Sequence, residues 1–497
     1  MTGQTSQVVE ERTYGLWTRP RNEGLWGFGW GLTMAGFAAL VAAMFAVLFG
    51  GWRAGAVIVV LEVMVLAPMA WRVEGRSGYE RGIQMMQWIR TVFRGENIYQ
   101  SGVFSRLGSC QQPGLLAPSK LYEGRDSAGY QFGMVHMPNW NLYTVVVRCW
   151  PQGARAVDQE MIDHWVACWG RMLATLGGKP DIEAITAVLD TVPETGNRLA
   201  AEVAQLTRHD APVMAKAMMA ELAAELPSNT VRPEAWCSVT FRATTPERRK
   251  DPAEQAVEIG RRLPGMITAL GDAGVRARPM TGEEVTALMR RAWDPAAEAN
   301  LEEAAEYDQP HGVRWSEAGP VAHEEYKDRL YHDGTVSVTW EMAAAPEGNV
   351  NEQVLKQLLE PNPDVPRKRV AIVYRPHAAG DAAKIVTDDY KNALVASQSE
   401  RSGVVSAQAT LRVAATQQAR EEQARGHGVT RFGVLITITE LAGSDLPRID
   451  AVVKDMTAQA RLRIRRSYRY QAAAFSACLG TGVLLPEMAA TPRVVAE

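Results

Sequence analysis

The spacing of apolar and polar positions changes character along the chain. From Gly27 to Gly50, "GFGWGLTMAGFAALVAAMFAVLFG", no charge interrupts an apolar run long enough to cross a bilayer as a helix. After "GWR", a second and shorter apolar run covers Ala54 to Trp71. The pattern predicts a two-helix transmembrane hairpin over residues 27–72, preceded by a tail at 1–26. Trp30, Trp52 and Trp71 fall at the expected edges of the spans, where indole rings anchor at the membrane interface. A cleavable signal peptide has a shorter apolar segment and no second span directly behind it. Arg12, Arg19 and Arg21 precede the first span, while Arg72, Arg76, Arg81, Arg90 and Arg94 follow the second. The turn holds only Arg53, so the positive-inside rule places both termini in the cytoplasm, in a multi-pass membrane protein.

Two features of the spans bear on assembly. Ala35, Ala39 and Ala43, and likewise Ala38, Ala42 and Ala46, recur every fourth residue, a spacing that lets helices approach closely and that an Ala-rich sequence also produces. Glu62 lies mid-way along the second run, where a charge costs roughly 2.5–3.5 kcal/mol. An acid there is expected to be protonated and packed in a homo-oligomer; the alternative role is a proton or ion site.

Past the spans the pattern becomes that of an α+β body. Residues 73–112 hold an amphipathic junction helix, with Ile83, Met86, Trp88, Ile89, Val92 and Phe93 at helical spacing, and a linker. This helix either lies on lipid or packs on the body. From there a sequence of strands and helices occurs twice, in a first half at 113–292 and a second at 320–497, with a Glu-rich linker at 293–319. "AWCSVTFRA" matches "RFGVLITITE" in order, and "GVRARPMTGEEVTALM" matches "RIRRSYRYQAAAFSACL". Strand–helix–strand twice, with the helices falling to one side, predicts two ferredoxin-like halves.

Composition adds restraint. The net charge of −3 over 497 residues supplies no overall field for nucleic acid. Five widely spaced cysteines without a CxxC read as free thiols in a reducing compartment. Gly178-Lys179 is followed by Pro180 and lacks the glycine of a Walker A loop, and neither GxSxG nor HExxH occurs. "LGTG" at Leu479–Gly482 lacks a following Lys, so it reads as a turn closing the second half. His323, Glu324, Glu325, His332 and Asp333 gather on one hairpin and read as a solvated edge; His164 and Cys168 share a core-facing helix side. No catalytic, cofactor or metal set emerges, and an enzyme is not expected. The basic run "RLRIRRSYRY" offers Arg463, Arg465, Arg466 and Arg469 as a contact face for nucleic acid, against the plainer reading of a guarded edge strand.

The segments "RSGYERGIQMMQWIRTVFRGENIYQSG", "DHWVACWGRMLATLG" and "VLDTVPETG" resemble a family of actinobacterial membrane proteins tied to conjugative elements. Its N-terminal part is similar to PrgI-type membrane proteins, and the rest resembles the non-motor half of TraC/TrbE-type conjugation ATPases. In those ATPases a P-loop motor follows; here the sequence ends at Glu497 without one. The resemblance implies a structural component of a type IV secretion-like apparatus in the inner (cytoplasmic) membrane. It would work with a separate motor ATPase, other apparatus subunits and membrane lipid.

Overall fold

Antiparallel pairing joins thirteen strands of the body into one sheet. The computed structural model describes residues 14–15, 17, 30–70, 72–73, 76–103, 105–106, 108–153, 157–225, 230–346, 350–398 and 407–488. The strands are β1 (Ile98–Gln100), β2 (Lys120–Arg125), β3 (Gln131–Met137), β4 (Leu142–Pro151), β5 (Ile182–Pro193), β6 (Val231–Arg242) and β7 (Val275–Pro279). After them come β8 (Ala322–Glu325), β9 (Leu330–His332), β10 (Thr335–Ala344), β11 (Lys368–Pro376), β12 (Thr430–Leu441) and β13 (Arg463–Arg466). Their order across the sheet is β1-β8-β9-β10-β12-β11-β5-β6-β4-β3-β2, with β13 on β10 and β7 on β4.

That order contains a repeat. In the first half β6 lies between β4 and β5, and β7 flanks β4; in the second, β12 lies between β10 and β11, and β13 flanks β10. Registers agree as well. Leu142 opposes Arg242 where Thr335 opposes Leu441, and the hydroxyl pair Thr144–Thr240 (2.9 Å) recurs as Ser337–Thr439 (2.7 Å). The halves meet edge to edge through β5 and β11, where Val188 faces Ala371, flanked by Ala187–Ile372 and Leu189–Val370.

Twelve helices of eight or more residues occur among the described residues. Before the sheet stand α1 (Trp30–Ala70) and α2 (Gly78–Arg94). The first half holds α3 (Gln159–Gly177), α4 (Asn197–Leu206), α5 (Val213–Glu225), α6 (Pro252–Asp272) and α7 (Gly282–Trp293). The linker carries α8 (Glu298–Glu306). The second half has α9 (Ala379–Gln398), α10 (Ala407–Ala424), α11 (Leu446–Gln459) and α12 (Gln471–Cys478). Local chemistry sets several starts: Asp251 caps α6 ahead of Pro252, and Thr281 with Glu284 forms a capping box on α7.

The helices do not fall to one side, as the spacing had suggested. One face of the sheet is covered by α3 and α6 over the first half and by α11 over the second, giving two cores. The other face carries α7 and α12, and there a single core runs across the seam through Val188, Trp236, Ala371, Leu435, Trp293 and Phe475. Strand alternation makes this possible: Val146 faces one layer while Val145 and Val147 face the other. The halves are therefore parts of one sheet with a shared core. Contacts also cross between the expected segments: β1, from the junction linker, pairs with β8 of the second half, and the stretch after α12 packs in the core shared by both halves.

Candidate membrane anchor and its joint to the sheet

The apolar character of α1 is complete enough to cross a membrane from Thr33 to Pro68, and nothing in its most apolar stretch is buried inside the protein. The helix is broken at Gly51, whose backbone (φ 73°, ψ 177°) leaves the helical region in a conformation that favours glycine. Gly55 then lies so close to Val47 Cγ2 that a β-carbon has no room. Half-buried positions form stripes on both sides of the break, Ala35, Ala39 and Ala43 before it and Ala54, Ile58, Glu62 and Leu66 after it. Of the expected interface anchors, Trp52 is exposed beside the break with the Arg53 guanidinium 5.6 Å from its ring centre. Trp30 begins α1, and Trp71 lies outside the described residues.

The chain turns sharply after α1. Arg72–Val73 pairs with Arg76–Ser77 in a two-stranded ribbon, Ser77 and Glu80 form the capping box of α2, and the Tyr79 hydroxyl donates to Val65 O (2.8 Å). Arg76 is the pivot. It donates to Glu341 of β10 (2.7 Å), to the Tyr470 hydroxyl and to Gln84 (2.9 Å). Burial works against its charge, yet Glu341 and Tyr470 leave the guanidinium raised. Glu341 is the lone acid of an otherwise uncharged strand and also accepts from Arg465, its cross-strand neighbour.

The N-terminal flank reaches the same place. Tyr14 and Val350 exchange two backbone hydrogen bonds of 2.7 Å, and Trp17 meets Phe432 of β12 edge-on at 5.9 Å. Glu341 faces Leu435, three residues from Phe432. Both flanks of α1 thus rest on the neighbouring strands β10 and β12 of the second half.

This joint uses much of the basic run. Arg465 and Arg466 are only 13–14% exposed; Arg466 meets Asp450 (3.0 Å) and Asp328 (3.4 Å) and lies over Trp340. Arg463 is exposed, and Arg469 takes a left-handed turn (φ 70°) that links its amide to Lys327. The four arginines therefore do not form one open cationic face. The signals for the joint were a lone Glu in an apolar strand and an Arg counted only as a flanking charge; their partners lie hundreds of residues apart.

The expected solvated edge at His323–Asp333 is also structural. His323 is buried and stacks on Tyr99 of β1 (5.2 Å), and His332 bonds Ser337 (2.7 Å) and Trp293 O. Asp333 accepts from the amides of Val321 (2.9 Å) and Ala322 (3.1 Å). No group of three or more His, Cys, Asp or Glu among the described residues could hold a metal ion. On α3, Cys168 contacts His164 (3.4 Å) and Arg171 (3.0 Å). Glu325 accepts from Ala472 N (2.9 Å) at the start of α12, and burial lifts its carboxyl to about 7 despite the amides of Ala472 and Gln471. Burial holds His323 and His332 down at about 4.

The signs give a pH prediction. A raised carboxyl contributes stability that is full below its ordinary value of 4.5 and is lost as pH climbs through 7. The depressed histidines do the reverse, contributing above 6.5 and losing it as pH falls through 4. Between about pH 5 and about pH 8 the native chain should lose about 2–3 kcal/mol relative to Glu325→Gln. Paired thermal melts across that range measure it; parallel curves would show that the carboxyl is solvated.

Residues 21–80 match the Domain of unknown function (DUF8461). The matched stretch holds α1, the ribbon with Arg76 and the first residues of α2. No curated protein matches the chain.

Proposed function

We propose that this chain is a structural component of a type IV secretion- or conjugation-like transfer apparatus in the inner membrane, where it anchors a separate ATPase. In this reading α1 is a two-span hairpin turning at Gly51, and both of its flanks stand on the cytoplasmic side with the body. The observation that carries the membrane reading is the return of both flanks to β10 and β12. A straight helix of 41 residues would hold its ends about 60 Å apart. The break, the Val47–Gly55 approach and the paired half-buried stripes support the same turn. We read the two repeated strand orders as ferredoxin-like halves. The apparatus itself is proposed from the resemblance of the sequence to secretion components.

Affinity isolation of the full chain from native membranes tests the assignment. The expected companion is a separate P-loop protein that supplies all of the ATP hydrolysis. Hydrolysis by the purified chain alone would sink the proposal. The nucleic-acid reading of 461–470 has no comparable support, because Arg465 and Arg466 are engaged with Glu341, Asp328 and Asp450.

A further inference from the structure

Helix α2 is amphipathic in an inverted sense. At 100° per residue, Val92, Met85, Ile89, Phe93, Met86 and Tyr79 fall within an arc of about 140°. All six are exposed, up to 86% at Phe93, and no residue of the helix is fully buried. The better-covered residues lie on the opposite side: Glu80, Gln84, Trp88 and Thr91 are half-buried, and Gln84 is held by Arg76. A helix packed on a soluble body buries its apolar side, whereas α2 presents that side outward.

Its position supplies the occupant. Gly78 sits against Pro68 O, close enough to exclude a β-carbon, and Tyr79 bonds Val65 O. The helix therefore starts beside the last turns of α1, where a spanning helix meets the membrane surface. Arg90 and Arg94 border the apolar arc on one edge and Arg81 on the other. This is the layout of a helix lying in the interface, with apolar side chains among the acyl chains and guanidinium groups at lipid phosphates.

Resting on the reading of α1 as a membrane anchor, we infer that α2 lies in the lipid interface of that same membrane with its Met85–Phe93 face turned into the bilayer. The helix then fixes the tilt of the sheet over the membrane through Arg76 and Glu341.

The test uses the full chain carrying Cys110→Ser, reconstituted in phosphatidylcholine–phosphatidylglycerol vesicles with brominated acyl chains. An environment-sensitive fluorophore is placed on one introduced cysteine at a time: Ile89→Cys, Phe93→Cys, Gln87→Cys on the polar side, or Val60→Cys in α1. We expect labels at 89, 93 and 60 to lose about half or more of their emission to bromine, while the label at 87 keeps most of its own. Quenching at 60 without quenching at 89 and 93 overturns this inference and leaves the anchor standing. Self-quenching at 89 and 93, relieved by dilution with unlabelled chain, assigns the face to a second copy and also overturns it. No quenching at 60 removes the anchor reading and this inference together.

Discussion

Glu298→Ala should lower the unfolding free energy by about 3–5 kcal/mol, the usual cost of leaving buried charges uncompensated. Glu298 opens α8, in the stretch expected to be a polar linker, and is only 2% exposed. Its carboxylate meets Arg232 (3.3 Å) and Arg291 (3.6 Å) from the first half and Arg367 (3.2 Å) from the second. Alongside it, Asp190 of β5 faces and binds Arg369 of β11 (2.8 Å). Burial pushes the nearby Glu234 carboxyl up, but Arg291, Arg148 and Arg232 hold it at about 2. The seam is thus clasped by ions taken out of water; removing the Glu298 carboxylate takes from Arg367 its ion partner across the seam, while Arg232 and Arg291 keep Glu234. Since whole proteins hold only about 5–15 kcal/mol, the thermal midpoint should fall clearly. Glu303→Ala on the exposed side of α8 is the control, with a change of about 0.5 kcal/mol or less. Equal melting of the two variants would show that Glu298 bears no weight at the seam.

Gly482→Val should cost about 2–4 kcal/mol, combining backbone strain with overpacking. The "LGTG" turn is buried on the sheet: Trp236 Nε1 donates to Leu479 O (3.0 Å), and Thr481 is fully enclosed. Gly480 (φ 70°) rests against Val188 and Ser238. Gly482 has φ 107°, and a β-carbon there would stand 2.7 Å from Thr144 Oγ1. Glu487 then pairs with Arg242 (3.2 Å) of the first half and Arg375 (2.6 Å) of the second. The glycines serve close packing of a strap across the seam. The variant should melt early in the absence of any nucleotide; a stable Gly482→Val chain would mean that the strap is not seated on β4.

The repeated order of strands was legible because each strand carries its own alternation, and alternation survives divergence of the residues themselves. Alternation does not say which layer a helix will choose, so the two-faced arrangement of α7 and α12 against α3, α6 and α11 stayed hidden. Charge was the least legible property. "RLRIRRSYRY" is basic as a string, but its Arg465 and Arg466 pair in space with Glu341 and Asp328, which lie more than 120 residues before them. His323–Asp333 failed likewise, since burial under Tyr99 depends on β1 pairing with β8 from more than 200 residues earlier in the chain. The break in α1 was visible in "FGGWR", because two glycines beside a Trp and an Arg interrupt an apolar helix.

If α1 is a hairpin, its two flanks share one side of the membrane and its turn faces the other. Thr5→Cys, Arg53→Cys and Glu96→Cys, each with Cys110→Ser, can be exposed to a membrane-impermeant maleimide in intact cells and again after permeabilisation. Position 53 should label from outside, and positions 5 and 96 only once the membrane is opened. Positions 5 and 96 labelled from opposite sides, or position 53 protected together with them, would contradict the hairpin.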